Sequence, residues 1–176
     1  MLIPELRPLH WLVVATAIAL PLSASVAAPK EQLSKKDQHF MTEAVQGDLS
    51  EIQMGKLAQQ KGQSDNVKQF GKTLEQDHSD NLQKAKQLAD QNGLNLPNEP
   101  NAMQQKMYQK LSSVPPAKFD AAFARDMVKD HEKDIGKFRK EAQSGSAVAD
   151  FAKQTVPTLE KHLQLAESLT SGRAGK

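Results

Sequence analysis

The stretch LNLPNEPNAMQQKMYQKLSSVPPAK, residues 94–118, decides the fold. It carries Pro97, Pro100, Pro115 and Pro116, which a helix interior rejects, and leaves room for one short helix near Ala102 to Leu111. On both sides of it Ala, Gln, Lys, Glu, Leu and Met dominate and β-branched residues are sparse, so the flanking chain reads as long helices. Four are expected: from Ser34 or Asp37 to about Gln60, from Asn66 to Gln91, from Lys118 or Asp120 to about Gln143, and from Ala147 to Leu169. Gly62-Gln63-Ser64-Asp65 and Ser144-Gly145-Ser146 are short joints that make antiparallel hairpins. The 25-residue connector between the second and third long helices, in contrast, can run the length of a bundle. One long crossover is the connectivity of a ferritin-like four-helix bundle rather than of an up-and-down one. Pro157, inside the last helix, predicts a kink or local unwinding.

Toward the N-terminus the character changes. Met1 to His10 include Arg7, Trp11 to Leu22 are almost unbroken apolar sequence, and Ser23-Ala24-Ser25-Val26-Ala27-Ala28 is a run of small residues. This reads as a secretory signal peptide cleaved after Ala27, since about a dozen apolar residues fall short of the ~20 that span a bilayer. The expected organisation is a signal peptide over 1–27, a linker over 28–36, the bundle over 37–170 and a flexible tail over 171–176. The product is expected in the periplasm or outside the cell, with no transmembrane segment after cleavage. The absence of cysteine excludes disulfides, thiol catalysis and iron–sulfur clusters. With 23 basic against 21 acidic residues, one Trp and one Tyr, there is no basic–aromatic surface for nucleic acid. Neither a Ser-His-Asp order nor a Gly-rich phosphate loop is present, and no catalytic residue is assigned.

What chemistry the sequence holds lies in its histidines. At 100° per residue, His78 projects with Val67, Gly71, Leu74, Leu82, Ala85 and Ala89. His131 projects with Ala124, Met127, Ile135, Phe138 and Ala142, and His162 with Phe151, Thr155, Thr158 and Ala166. Three of the four long helices therefore aim one His at the core. On the first, Glu51 shares a stripe of mostly small residues, Phe40, Ala44, Gly47, Gly55 and Ala58, that admits a neighbouring helix closely. Glu75-x-x-His78 has the spacing of carboxylate-bridged di-metal sites, because residues three apart share a helical edge. Two readings follow. Glu51, Glu75, His78, His131 and His162 hold iron or manganese, or the histidines are core residues bonded to Glu51, Asp77, Asp130 or backbone and fix helix register. A pH-sensitive role is a third. His39 is read as solvated, Met103, Met107 and Tyr108 as pins for the crossover, and Met41-Val45-Leu49-Ile52 as a second apolar stripe suited to a homodimer seam or an envelope partner.

Two repeats are visible: Phe70-x3-Leu74-x2-Asp77-His78 against Phe123-x3-Met127-x2-Asp130-His131, and Gly62-x4-Val67-x2-Phe70 against Gly145-x2-Val148-x2-Phe151. They suggest two related hairpins.

The segments Glu51-Ile-Gln-Met-Gly-Lys-Leu-Ala58, Val67-Lys-Gln-Phe70, Asp77-His78, Phe119-Asp120, Met127-Val-Lys-Asp-His131 and Val156-Pro157-x4-His162-Leu163 resemble the bacterial family called domain of unknown function 4142. The resemblance spans about residues 36–170. It implies a ferritin-like four-helix fold and an exported protein, periplasmic or at the outer membrane, and supplies neither a substrate nor a metal. On the sequence, the product is a non-enzymatic envelope or stress-related protein, with a metal-binding protein or oxidoreductase as the alternative.

Overall fold

The computed structural model describes residues 32–171, so the expected signal peptide, the first four residues of the linker and the last five residues of the tail lie outside the described part. Within it the chain is all-α, with five helices and no strand: α1 (Lys35–Lys61), α2 (Asp65–Asn92), α3 (Ala102–Ser112), α4 (Pro116–Ala142) and α5 (Ala149–Thr170). Local chemistry sets the boundaries. Ser34 and Ser64 accept hydrogen bonds from the Asp37 and Val67 amides at the starts of α1 and α2, and Gly93, at φ 66°, ends α2 in the left-handed region. Asn101 and Gln104 form a reciprocal capping box on α3. The third long helix starts at Pro116, earlier than the Lys118 or Asp120 expected, because proline suits a first helical turn whose N–H groups have no partner anyway. α5 runs on through Pro157; the ring removes the bond to the Lys153 carbonyl, and both residues are exposed, so that carbonyl is not left in an apolar surrounding.

α1 packs on α2 and α4 on α5, as the short joints predict, and the hairpins meet through α2 against α5 and α1 against α4. Every one of these neighbours is antiparallel. Along α1 and α4 the contacts run Lys36–Glu141, Phe40–Phe138 and Glu43–Lys137; along α2 and α5 they run Asp77–His162 and Asn81–Thr155. The diagonal pair α2 and α4 is parallel, which sets Phe70 level with Phe123 and His78 level with His131. The first sequence repeat thus matches α2 to α4, whereas the second matches α2 to α5. One duplicated hairpin cannot do both, so the repeats do not define two related hairpins.

At the turn end, Asp120 of α4 accepts the Gln63 and Ser64 amides at 2.8 and 2.9 Å, clamping the α1–α2 joint. Lys61 donates to the Ser112 and Val114 carbonyls at the end of α3 and lies over the Phe119 ring. Met107 and Tyr108 pack α3 onto the core, but Met103 is 70% exposed and pins nothing. Gly55 of α1 and Gly71 of α2 face each other so closely that a Cβ on either would stand 2.5–2.6 Å from the other's carbonyl oxygen. The small-residue stripe of α1 serves this approach.

The expected dimer seam is a correction. Met41 and Val45 are fully buried inside the molecule, and Leu49 and Ile52 pack against the same core, because α1 wraps both of its apolar stripes into the fold.

The core is in two parts. One end holds Met41, Val45, Leu82, Phe138 and Phe151; the other holds Leu57, Leu74, Phe119, Phe123 and Met127. Between them, at one level across all four long helices, lies a polar belt: Asp48 and Glu51 on α1, His78 and Asn81 on α2, His131 on α4, Thr155 and His162 on α5, all buried.

Candidate metal centre

Helical periodicity delivers the three histidines into the belt: His78, His131 and His162 are 6%, 2% and 0% exposed. One ring nitrogen from each lies within 4.8 Å of the others. Which nitrogens carry protons follows from the partners. The Met127 carbonyl only accepts, so His131 Nδ1, 2.9 Å away, holds a proton and Nε2 holds a lone pair. His162 Nε2 lies 2.9 Å from Asp77 Oδ2. Burial pulls the Asp77 carboxyl up, but the His162 N–H and the Lys161 ammonium more than offset it and hold it below the ordinary value, so Asp77 accepts and His162 Nδ1 holds a lone pair. His78 Nδ1 lies 2.8 Å from Asp48 Oδ1; with Asp48 ionised, Nδ1 carries the proton and Nε2 the lone pair. That Nε2 is buried without a hydrogen-bond partner.

All three imidazoles are neutral at ordinary pH. Burial lowers His78 to about 4, against the pull of Asp77 and Asp130. Burial, then the neighbouring His78 and His162, lowers His131 to about 3. Burial and His78 lower His162 to about 4 although Asp77 opposes them. Neutral rings with their outer nitrogens bonded leave lone pairs on His131 Nε2 and His162 Nδ1 turned inward, and a third on His78 Nε2 when Asp48 is ionised. His131 Nε2 and His162 Nδ1 face each other at 3.3 Å with no proton between them. Two nitrogens bound tetrahedrally to a zinc-like ion stand ~3.3 Å apart. Outer hydrogen bonds that fix tautomer and ring orientation are the usual support of metal-binding histidines, and here they come from Asp48, the Met127 carbonyl and Asp77.

Of the carboxylates expected as ligands, Glu51 and Glu75 stand apart from this trio. Glu75 turns toward α1, accepting from Gln59 Nε2 at 2.6 Å with Lys56 Nζ at 3.7 Å. Glu51 is buried in the belt beside Asp130, Asp134 and Asp48, and its Oε2 has no hydrogen-bond partner. Burial, then repulsion from and hydrogen bonding to Asp130, pushes Glu51 well above the ordinary range. Burial does the same to Asp48, partly offset by the amide of Asn81, which donates to both of its oxygens at 3.1 and 2.9 Å. Burial and Asp130 push Asp134 up to about 7, with Lys137 and Lys133 opposing. His39 is exposed and 3.9 Å from Glu43, as expected of a solvated residue.

Asp48 and Asn81 are belt members that the sequence reading did not pick out. Asp48 follows Val45 by three and precedes Ile52 by four, so an acid sits on the heavier apolar stripe of α1; Asn81 follows His78 by three. Asn81 also accepts from Thr155 Oγ1 at 2.9 Å, tying α1, α2 and α5 together.

An all-α protein with a histidine trio set in a polar belt is the class these observations define. The chain belongs to the family described as domain of unknown function (DUF4142), whose family model matches residues 22–169. Neither curated proteins nor solved structures return a match. Among the described residues no helix is long and apolar enough to cross a membrane.

Proposed function

We propose that this is an exported, ferritin-like four-helix-bundle protein that binds one divalent transition-metal ion through His78 Nε2, His131 Nε2 and His162 Nδ1. The single long crossover and the antiparallel neighbours support the fold assignment, and the apolar N-terminal segment with its run of small residues supports export. The observation that carries the metal reading is the convergence of one ring nitrogen from each of the three histidines, each ring also bonded on its outer side, to Asp48, the Met127 carbonyl or Asp77. A doubly positive ion favours the ionised form of Asp48, which burial alone disfavours, and thereby keeps the His78 proton on Nδ1 and its Nε2 lone pair free for the ion. Three imidazoles without a carboxylate among them suit zinc, copper, nickel or cobalt better than manganese, and iron would look for the carboxylates that stand apart here. The role is non-enzymatic metal holding in the cell envelope.

Elemental analysis after equilibration with zinc tests this on protein purified from its exported form. One ion per chain is expected, lost in His131→Ala and His78→Ala. Substoichiometric metal unchanged by both substitutions refutes the site.

A further inference from the structure

Three protein nitrogens leave a zinc-like ion one ligand short of four, and in such sites the remaining position is taken by solvent or an exchangeable ligand. The direction of that position is set by what surrounds the trio. Toward one end lie apolar side chains: the Phe70 ring packs edge-on to His162 with centroids 6.1 Å apart, and Phe123 and Met127 stand behind it. Toward the other, between α2 and α5, a cleft of about 120 Å³ opens to the surface, lined by His78 and Asp77 and by the polar Asn81, Thr155 and Thr158. Lys84 and Asp80 stand at the cleft as well. His78, whose Nε2 has no partner, and Asp77, which orients His162, thus belong both to the trio and to the cleft wall.

We infer that the cleft between α2 and α5 leads to an exchangeable coordination position, where the ion takes water, hydroxide or another small Lewis-basic ligand of about three heavy atoms. The size limit comes from the volume, a few times the ~30 Å³ share of one water. Ligand class follows from the lining: Thr158 offers a hydroxyl to a small polar guest, while Asn81 and Thr155 are tied to Asp48 and to each other, and at the mouth one lysine stands against one aspartate that accepts from Gln76, which gives no preference for a large ion. Thr158 lies one turn before His162 on α5, so it stands where the cleft meets the trio. The inference rests on the histidine site proposed above.

Cobalt(II) substitution separates the two ideas, because its visible spectrum reports both occupancy and ligand exchange. Cobalt-loaded protein is titrated with azide, alongside Thr158→Phe, which fills the inner cleft, and Thr158→Val, which keeps its shape. The expected result is a saturable change of the cobalt bands in the native protein and in Thr158→Val. In Thr158→Phe, at unchanged cobalt stoichiometry, half-saturation rises at least tenfold. Cobalt bound without any azide response, or an equal response in Thr158→Phe, overturns the exchangeable position while leaving the metal site standing. Failure to bind cobalt at all overturns both.

Discussion

Alanine in place of Gly55 puts a Cβ 2.5 Å from the Gly71 carbonyl oxygen and 3.0 Å from the Glu75 amide nitrogen. Real Cβ contacts hardly occur below 3.0 Å, so α1 and α2 must part locally by at least about 0.5 Å, and neither obstacle is a side chain that can swing away. Overpacking of this kind costs ~1–3 kcal/mol. Against it stands the helix preference for Ala over Gly, up to ~1 kcal/mol. The balance for Gly55→Ala is a loss of ~1–2 kcal/mol, a fall of roughly 3–6 °C in Tm for a domain of this size. The same substitution has the opposite sign elsewhere. A Cβ at Gly136 of α4 meets nothing within 4 Å, and one at Gly47 only touches Asp134 Oδ2 at 3.8 Å, so both should stabilise by ~0.5–1 kcal/mol. Gly55→Ala with Gly71→Ala should cost less than the two singly, since the helices separate once for both. Urea denaturation followed by far-ultraviolet circular dichroism measures all of these. Gly55→Ala as stable as the native protein would show that α1 and α2 do not meet at this point.

Three further outcomes follow from the belt and the turn end. In metal-free protein His131 titrates at about 3 when folded and near 6.5 when unfolded, so the unfolded chain takes up its proton first as pH falls. Its stabilising contribution is complete above pH 6.5 and declines below it at up to ~1.4 kcal/mol per pH unit; His131→Gln should flatten the stability curve between pH 4.5 and 6.5 by about that slope, and an unchanged slope in urea melts refutes the buried neutral ring. Asp134 is displaced the other way, from 3.8 to about 7, so it costs nothing below pH ~4 and its cost grows up to pH ~7. Asp134→Asn should therefore leave stability at pH 4 unchanged and raise it at pH 8 by about 1–2 kcal/mol after allowance for partial exposure; equal gains at both pH values, measured by thermal melts, would refute the electrostatic origin. Asp120→Ala removes the acceptor of two amides at the α1–α2 joint and should cost ~1–2 kcal/mol, with faster hydrogen exchange at Gln63 and Ser64; unchanged exchange there refutes the clamp.

The sequence exposes faces more readily than partners. Composition and joint length were enough for the number and order of the helices, and the 100° projection placed His78, His131 and His162 on buried faces. What it could not resolve is which groups meet across helices. Asp77, at the edge of its face on α2, reaches His162 on α5 and not the adjacent His78, and Glu75, correctly spaced for a ligand, turns to Gln59 and Lys56 on α1. Spacing along one helix fixes an angle, whereas the choice of partner depends on which helix lies on that side. Asp48 escaped for a related reason: Glu51 occupied the small-residue stripe and drew the reading there, while the acid on the heavier stripe is the one that holds His78.

The polar belt has a consequence for how freely this sequence can vary. Two apolar surfaces slide past one another with little penalty, but moving any helix here by one turn, ~5.4 Å, would thrust an imidazole or carboxylate into Leu74, Phe123 or Phe138 and strip its partner on the neighbouring helix. Belt side chains therefore act as notches on four rods, setting a common height that the Leu, Met and Phe layers alone would leave loose. Volume-conserving swaps in either end layer are cheap, typically below ~1.5 kcal/mol, whereas a change in the middle rung strands a partner on a neighbouring helix.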